Sequence, residues 1–390
     1  MRRVLAYFAL VVAGACASAA ALVVWPAPIK TLALLAILAG ERSLVVAVAS
    51  LLAGALALMA TRPGLRIVPA LAILLSLGAL VVAMTPAAQA YRLANERHID
   101  LDLDRYVRAE IDTEGPVAAA LVRTFATLPG DKELQMDVYL PLHVAGQAPA
   151  RAIVNLHGGG WSAGDKGDNS LFSHWLATQG FAVFDVGYRI APQPNAKAAV
   201  GDVKCAVGWL KAHATTAEWT IDPERITLLG RSAGGHLALI AAYTERDSQL
   251  PASCSVSDTR VDSVIAFYAP TDLTWGFAHP GKAAVYDGRT KIVGLLGGDP
   301  TTVGDLYRRL SPIDRVQPGL PRTLLIHGGR DQFVSIENSE RLDSQLRKAS
   351  VESETLFIPY AQHSFDFVFG GFSEQIAEAT ILRFLNGPRH

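Results

Sequence analysis

The stretch that decides the fold reads Leu228-Leu229-Gly230-Arg231-Ser232-Ala233-Gly234-Gly235-His236. An apolar, β-prone run at residues 226–229 leads into it, and residues 237–242 favour a helix behind it. Ser232 therefore lies on a tight strand-to-helix turn, where Gly230 and Gly234 leave room that a Cβ would fill. This pattern predicts a nucleophile elbow, which exposes the serine hydroxyl near the free N–H groups of the helix. A capping serine on an ordinary turn fits the same pattern, so the motif needs partners before it indicates chemistry.

The composition divides the 390-residue chain into two unlike parts, because almost every residue up to about Met84 is apolar, whereas charged residues are common from Arg92 on. A formal net charge of -1 provides no basic field, so we expect no nucleic-acid partner. The 3 cysteines, Cys16, Cys205 and Cys254, lack the spacing of a zinc site. We expect Cys205 and Cys254 to be ordinary buried residues, with a disulfide between them as the alternative outside the cytoplasm.

The N-terminal region, residues 1–86, carries apolar runs that are long enough to cross a bilayer. A cleaved signal peptide would explain the first run but not those that follow it. Thr31 to Gly40 is about half the required length, so we expect it to be interfacial or to extend the second helix, with a fourth span as the alternative. The sequence predicts a bundle of about three transmembrane helices, with spans near residues 4–25, 43–60 and 66–84.

Basic residues around these spans predict the orientation of the chain. Under the three-helix count one side carries Arg2, Arg3, Arg62 and Arg66, and the other carries Lys30, Glu41 and Arg42. This bias predicts a cytoplasmic N-terminus and, after three crossings of the cell membrane, an extracytoplasmic location for everything beyond about Pro86. The runs hold no isolated carboxylate, histidine or lysine in their middle, which favours anchoring in the bilayer over transport.

The rest of the chain predicts an α/β domain. Residues 87–130 are predicted to form a partly helical linker, and a period-two strand after Asp131 opens a catalytic domain at residues 131–390. Helical stretches separate most of the later strand-like runs, so the sheet should be mostly parallel and covered by helices on both faces. A cap or lid-like insertion is predicted near residues 271–312. The later runs are at 152–156, 181–186, 226–229, 264–268, 323–327 and 355–358.

A glycine-rich loop follows the strand at 152–156 and reads His157-Gly158-Gly159-Gly160-Trp161. Backbone N–H groups of such a loop can turn toward an oxyanion, so we expect the oxyanion hole to be formed by Gly158, Gly159 and Ala233. The spacing Gly158-x-Gly160-x-x-Ala163, with Asp185 further on, also fits a dinucleotide fingerprint. Residues 164–168 interrupt the helix that this fingerprint requires, so no cofactor and no metal are expected.

A nucleophilic serine needs a base and an orienting acid, which in this class of fold follow it in the order acid, then histidine. Asp331 follows the strand at 323–327 and His363 follows the strand at 355–358, so both should reach the edge of the sheet that carries Ser232. Asp366 is the alternative acid. We expect His157, His236 and His327 to be structural.

These motifs resemble the α/β-hydrolase fold, in particular the bacterial esterase group of isoprenylcysteine methylesterase-like and kynurenine-formamidase-like enzymes. The chain is also similar to the hormone-sensitive-lipase group, which usually has an acidic residue before the nucleophile, and Arg231 at that position favours the first group. The resemblance implies hydrolysis of carboxylic esters through an acyl-enzyme on Ser232, Asp331 and His363. It begins near Leu134 and includes Met136 to Pro141, Gly164 to Lys166 and Tyr188 to Pro192 as well as the motifs above.

Substrate selection is expected to depend on Trp161, on Tyr188 and on aromatic residues of the 271–312 segment, namely Trp275, Phe277, Tyr286 and Tyr307. A small-molecule or lipid ester is the expected substrate, and the bilayer is the expected partner of the N-terminal helices. Three alternatives stay open: a formamide or amide hydrolase on the same triad, a non-catalytic binding module tethered to the membrane, and a transporter or sensor regulated by the hydrolase domain.

Overall fold

The structure is a computed structural model that describes residues 1–64, 66–112, 117–142, 148–190 and 192–387. Its N-terminal region contains α1 (Arg2–Val24), α2 (Lys30–Glu41), α3 (Ser43–Ala60) and α4 (Ile67–Glu96). The three helices α1, α3 and α4 are long and apolar enough to cross a membrane, as the sequence predicts. They pack against one another through alanines, because small side chains let helix backbones approach closely. These alanines are Ala9, Ala13, Ala53, Ala57 and Ala72.

The structure decides two points that the N-terminal sequence leaves open. Residues 31–40 do not extend the second apolar helix, because α2 is a separate helix that Arg42 divides from α3. With 12 residues and about 1.5 Å of rise per residue, α2 is also too short to be a fourth span. The helix that contains the third predicted span is longer than the span, because α4 continues past Pro86 to Glu96.

One eight-stranded sheet forms the centre of the remaining chain, in the order β2-β3-β5-β4-β6-β7-β8-β9. The strands β2 and β3 run antiparallel to their neighbours and the others pair in parallel, which confirms the predicted mostly parallel sheet. The bounds are β2 (Leu121–Leu128), β3 (Lys132–Tyr139), β4 (Ala150–Leu156), β5 (Phe181–Val186), β6 (Ile221–Arg231), β7 (Ser263–Phe267), β8 (Arg322–Gly328) and β9 (Ser353–Ile358). A two-stranded sheet pairs β1 (Glu110–Ile111) with β10 (Val368–Phe369).

Part of the predicted linker belongs to this sheet. The range 87–130 contains the last turns of α4, the short helix α5 (Leu103–Arg108), β1 and all of β2. Since β2 pairs with β3, the sheet begins at Leu121, before the predicted boundary at Asp131. Residues 113–116 of the linker lie outside the described residues.

Helices cover both faces of the sheet, as predicted. On one face lie α7 (Ala196–Ala212) and α8 (Ala233–Tyr243), whose apolar side chains join a large core cluster with β3 to β8. On the other lie α6 (Ser170–Thr178) and α13 (Phe372–Asn386), together with Ala87, Ala90 and Ala94 of α4. The third apolar helix therefore contributes to the core around the sheet as well as to the N-terminal bundle. The remaining helix on the sheet is α12 (Glu337–Lys348), between β8 and β9.

The segment at 271–312 is helical and forms an insertion between β7 and β8. It contains α9 (Leu273–Ala278), α10 (Gly288–Leu296) and α11 (Pro300–Arg309), and a 3-10 turn at Pro312–Arg315 follows. Asp272, Asp287 and Asp299 accept backbone N–H bonds at the first turns of the three helices, which defines where each helix begins. A second 3-10 turn, Phe365–Phe367, follows the loop after β9.

Cys205 and Cys254 form a disulfide, with their Cα atoms 5.5 Å apart. The expectation of two ordinary buried cysteines was therefore wrong, and the alternative is the one that the structure shows. Cys205 lies on α7 and Cys254 lies in the loop that follows α8, so the bond attaches this loop to the helical layer. Cys16, in α1, is free and buried.

Candidate active site

The turn between β6 and α8 consists of Ser232 alone. The backbone of Ser232 lies at φ 53° and ψ −116°, a strained conformation for a residue other than glycine. A Cβ on Gly230 would lie 2.3 Å from the carbonyl oxygen of Gly234, and a Cβ on Gly234 would lie 2.3 Å from the carbonyl oxygen of Leu156. Both positions therefore require glycine, which confirms the sequence reading of the elbow.

The structure brings Ser232, Asp331 and His363 together. Oγ of Ser232 lies 3.0 Å from Nε2 of His363, and Nδ1 of His363 lies 2.7 Å from Oδ2 of Asp331. Asp331 follows β8 and His363 follows β9, and both strands run parallel to β6. The three side chains consequently meet at the carboxyl edge of the sheet, where ligands bind in open α/β sheets.

Asp331 is fully buried and held by several donors. Its Oδ1 accepts the backbone N–H groups of Phe333, at 2.8 Å, and of Val334, at 2.9 Å. Burial alone raises the pKa of this carboxyl group, but the charge of His363 and hydrogen bonds from His327 and His363 outweigh burial and hold the pKa below its usual range. Asp331 is therefore ionised at neutral pH, as an acid that orients an imidazolium must be.

The three histidines predicted to be structural are buried, and His327 contacts the site through Asp331, 3.3 Å from its Nε2. His236 has Nε2 2.7 Å from the carbonyl oxygen of Leu310, and burial lowers its pKa to about 4. His327 has Nε2 2.9 Å from the carbonyl oxygen of Val334. His157 stacks on Tyr188, with ring centroids 4.2 Å apart. In none of the three is a ring nitrogen bonded to Ser232 in the part of the chain that the structure describes.

The glycine-rich loop packs directly against the elbow. A Cβ on Gly158 would lie 3.6 Å from Cβ of Ser232. Gly159 has φ +107°, and a Cβ there would lie 2.1 Å from the carbonyl oxygen of Ala163. Because Ala233 begins α8, its N–H group has no partner one turn earlier in that helix. Gly158 and Ala233 therefore lie beside Ser232, and an oxyanion hole formed by Gly158, Gly159 and Ala233 stays a prediction.

The two predicted substrate residues have different locations. Trp161 lines the cavity beside Ser232, and its Nε1 donates to Nδ1 of His236 at 3.2 Å. Tyr188 does not line this cavity; it is buried behind the glycine-rich loop, where its hydroxyl donates to the carbonyl oxygen of His157 at 2.9 Å. The contacts of Tyr188 are those of a residue that supports the loop, and its substrate role stays a prediction. Ala191, in the motif that contains Tyr188, lies outside the described residues.

The cavity that contains Ser232 has a volume of about 40 Å³, room for roughly three water molecules. Of the four aromatic residues predicted in the 271–312 segment, Tyr286 lines it, whereas Trp275, Phe277 and Tyr307 do not. Sequence reasoning missed Phe333, two residues after Asp331, whose ring centroid lies 5.2 Å from that of His363. Its position two residues after the candidate acid is the feature of the sequence that could have identified it as a cavity residue. The other lining residues include Gly160, Pro270, His279, Ile292 and Asn338.

A buried ion pair lies behind the three side chains. Arg231 donates from Nε to Asp366 and, at 3.0 Å, from Nη1 to Oδ1 of Asn155. Asp366 also accepts the hydroxyl of Tyr268, whose ring lies 4.3 Å, centroid to centroid, from that of His363. Asp366, the alternative acid, is thus committed to Arg231 and Tyr268. The ion pair with Asp366 explains why a buried arginine can stand before Ser232.

The strand order, the parallel pairing and an elbow after the fifth strand of the large sheet define the α/β-hydrolase fold, and the chain is a protein of that class. Residues 136–346 match the BD-FAE family, to which the chain belongs. The predicted fold class is confirmed.

Known proteins resemble this chain over the same part. LipM of Mycobacterium tuberculosis, named a probable carboxylic ester hydrolase, is 30% identical over 58% of this chain and 52% of its own length. Esterase LipC of the same organism is 33% identical over 61% of this chain and 58% of its own length. Esterase Est2 of Thermogutta terrifontis has a similar structure, with a TM-score of 0.54 and 23% identity over 69% of this chain and 93% of its own. The chain thus spans little more than half the length of the two curated relatives.

Proposed function

We propose that this chain is a membrane-anchored serine hydrolase that cleaves carboxylic esters through an acyl-enzyme. The observation that carries the proposal is the pair of contacts from Ser232 Oγ to His363 and from His363 to Asp331, 3.0 Å and 2.7 Å long. These are the distances that proton transfer from the hydroxyl to the imidazole requires. The names of the relatives LipM and LipC support the same reaction class.

In the proposed mechanism, His363 accepts the proton of Ser232 as the hydroxyl oxygen attacks the ester carbonyl. Asp331 fixes the imidazole in the tautomer that accepts at Nε2 and stabilises its charged form. The carbonyl oxygen becomes an oxyanion that the N–H groups of Gly158, Gly159 and Ala233 stabilise, and loss of one such donor typically costs about 2.7–4 kcal/mol of transition-state energy. His363 then protonates the leaving alcohol and activates water, which hydrolyses the acyl-enzyme.

The substrate would contact Trp161, Tyr286 and Phe333, which line the cavity beside Ser232. With about 40 Å³ available, the cavity suits one short branch of an ester, so the longer branch would extend beyond it. The chain itself supplies every group that this mechanism uses, and the proposal involves no cofactor.

The proposed anchor consists of α1, α3 and α4, with the catalytic part outside the cytoplasm. Three observations support this arrangement: the length and apolar composition of the three helices, the arginines that flank them, and the disulfide between Cys205 and Cys254. Disulfides persist in oxidising compartments and are rare in the cytosol. Three crossings from a cytoplasmic N-terminus would also leave the chain beyond α4 outside the cytoplasm.

The reaction is tested with the purified full-length protein in detergent and p-nitrophenyl acetate as the ester. We expect Ser232→Ala and His363→Ala each to lower kcat by about 10⁴-fold or more. Ser335→Ala is the matched control, because this second serine lines the same cavity and should retain full activity. Labelling by a fluorophosphonate should occur in the wild type and in Ser335→Ala but not in Ser232→Ala. Equal turnover by Ser232→Ala and the wild type would refute the proposed nucleophile.

A further inference from the structure

The connection between the first two helices contacts the loops that carry the candidate catalytic acid and base. Arg330 donates from Nη1 to the carbonyl oxygen of Val24 at 3.0 Å. Oε1 of Gln332 accepts the N–H of Ala27 at 2.6 Å, and its Nε2 donates to Oε1 of Gln362 at 3.1 Å. Since Gln332 and Gln362 each neighbour a member of the triad, the end of α1 is attached directly to the active-site edge of the sheet.

An apolar contact continues this attachment into the cavity. Ala27, Ala33 and Val285 form a buried cluster on which Phe333 packs. The ring of Phe333 also stacks on Tyr286, at 5.4 Å between centroids, and both rings line the cavity that contains Ser232. Phe333 therefore both lines the cavity and packs on the cluster that includes Ala33 of α2.

The outer face of α2 is mostly apolar and is not covered by any of the residues that the structure describes. Thr31, Leu34, Leu35 and Leu38 recur at helical spacing and are exposed, whereas Ala33, Ala36 and Ile37 on the opposite face are buried. The exposed fractions of Leu34, Leu35 and Leu38 are 45%, 47% and 40%. An apolar helix face on a water-exposed surface is costly, so this face requires a covering.

The position of α2 identifies the covering as lipid. It lies between Val24, where α1 ends, and Ser43, where α3 begins, and both of these helices are proposed spans. A short helix at that level, with Lys30 at its start and Glu41 at its end, fits the boundary between headgroups and acyl chains. Beyond residue 112, the large hydrophobic residues that are exposed in the described part of the chain are Val122 and Leu142, and neither lines the cavity. Apolar surface next to the cavity is thus found on the side of α2.

We propose that the active-site cavity receives its substrate from the bilayer over α2, and that this substrate is a membrane-resident ester with a long hydrocarbon chain. One short branch of the ester enters the cavity past Phe333 and Tyr286, and the hydrocarbon chain stays in lipid beside Leu34, Leu35 and Leu38. The inference rests on the proposed function, because it assigns a substrate class to the same serine site.

The test uses the full-length protein reconstituted in phosphatidylcholine vesicles, with two esters measured in parallel. One is p-nitrophenyl acetate in the water phase, and the other is 4-methylumbelliferyl oleate in the bilayer. The test variants are Leu35→Asn and the pair Leu34→Asn with Leu38→Asn. We expect them to lower kcat/KM for the oleate at least tenfold and to leave turnover of the acetate unchanged. Leu142→Asn is the matched control, since this exposed leucine lies away from α2, and it should change neither rate.

The outcomes separate this inference from the proposed function. Acetate hydrolysis that depends on Ser232, without hydrolysis of the oleate, would overturn the bilayer route and leave the esterase proposal in place. An equal loss of both activities in the α2 variants would show that α2 acts through folding, which also overturns the route. Faster hydrolysis of a water-soluble acetylated sugar than of the oleate would point to an aqueous substrate instead. Failure to hydrolyse any ester would contradict the proposed function itself.

Discussion

Two buried carboxylates near the candidate base have different partners, and this difference separates their roles. Asp331 contacts Nδ1 of His363, whereas Asp366 contacts Arg231 and Tyr268. The sequence left both open as the acid, because each lies within a loop near the carboxyl ends of β8 or β9. Only the contacts of the folded chain distinguish a carboxylate that orients the base from one that neutralises a buried guanidinium.

Replacement of Asp331 by asparagine should lower kcat strongly with little change in KM. An asparagine has the same shape but cannot hold the imidazole in the accepting tautomer or stabilise its charge, and the corresponding change in a serine protease costs about 10⁴-fold. The measurement is steady-state hydrolysis of p-nitrophenyl acetate by the full-length protein in detergent. Thermal unfolding serves as the control for folding, and a folded Asp331→Asn variant with wild-type kcat would exclude this residue as the acid.

Asp185, at the end of β5, should make stability depend on pH. Burial raises its pKa to about 7, although hydrogen bonds from Ser173 and Asn155 lower it. Between about pH 4, where the unfolded chain loses this proton, and about pH 7, where the folded chain does, only the folded state holds the proton. The contribution of Asp185 to the free energy of unfolding is therefore fully present below about pH 4, and it is lost as the pH rises through about 7.

The variant Asp185→Asn should remove that decline, because the amide does not titrate. Between pH 5 and pH 7.5 the free energy of unfolding should fall in the wild type but not in the variant. The difference between the two proteins should therefore change by on the order of a few kcal/mol in favour of the variant. Thermal unfolding midpoints at the two pH values measure the change. Asp131→Asn is the matched control, an exposed carboxylate at positive φ that asparagine tolerates. The same pH slope in Asp185→Asn as in the wild type would contradict the expectation.

At the scale of elements, local patterns predicted the elements whose burial is uniform. β5 and β7 are buried along their whole length and β4 along all but its first two residues, so their apolar runs were visible in the sequence. β2 was missed because it is an edge strand whose residues are mostly half-buried or exposed. Its place in the sheet depends on pairing with β3, which no pattern within residues 121–128 reveals.

The continuation of α4 beyond the predicted span depends on a similar long-range contact. Pro86 and the charged residues from Arg92 on are typical of a helix end, but α4 continues to Glu96. Its continuation is stabilised by packing of Ala87, Ala90 and Ala94 in the same cluster as α13, nearly 300 residues later in the chain. Such a tertiary contact is absent from any local window. The candidate site was easier to predict, because its members lie in short loops that directly follow recognisable strands.

The disulfide between α7 and the loop after α8 should stabilise the catalytic part of the chain. Cys205 and Cys254 are 49 residues apart in sequence, and closing a loop of this length in the unfolded chain is worth about 4 kcal/mol in the chain-entropy model. We expect the double variant Cys205→Ala, Cys254→Ala to lose roughly 2–4 kcal/mol and to retain its activity at low temperature, because neither cysteine lines the cavity. Thermal unfolding measures the loss. Cys16→Ala is the control, since Cys16 is free, and an unchanged midpoint in the double variant would contradict a stabilising bond.

At the scale of the whole molecule, the N-terminal helices and the catalytic part are joined by specific contacts as well as by the chain. Arg97, just after α4, donates to Glu354 at 3.1 Å and to the carbonyl oxygen of Thr355 at 2.9 Å. Arg105 forms an ion pair of 2.6 Å with Glu378 of α13. Together with the contacts of Gln332 and Arg330 at the end of α1, these bonds attach the N-terminal region to β9, to α13 and to the loops at the active-site edge. The orientation of the bundle then decides which compartment the cavity faces.

The last prediction concerns this orientation. With three crossings and the excess of arginine on the N-terminal side, the catalytic part should lie outside the cytoplasm. In spheroplasts of a bacterial host, we expect added protease to remove a C-terminal tag and to leave an N-terminal tag intact until the membrane is permeabilised. Replacing Arg62 and Arg66 by glutamine weakens the charge bias and should protect the C-terminal tag in part of the molecules.

Cysteine chemistry provides an independent measure of the same orientation. In an oxidising compartment Cys205 and Cys254 should resist a thiol-specific maleimide in the denatured protein until a reductant is added, because disulfides form outside the cytosol. The control is the full-length protein reduced before it is denatured, in which both thiols should react with the maleimide. Complete protection of the C-terminal tag, combined with reactive thiols in the full-length protein, would place the cavity in the cytoplasm. Because each assay reads a different property, agreement between them would exclude an artefact of either tag.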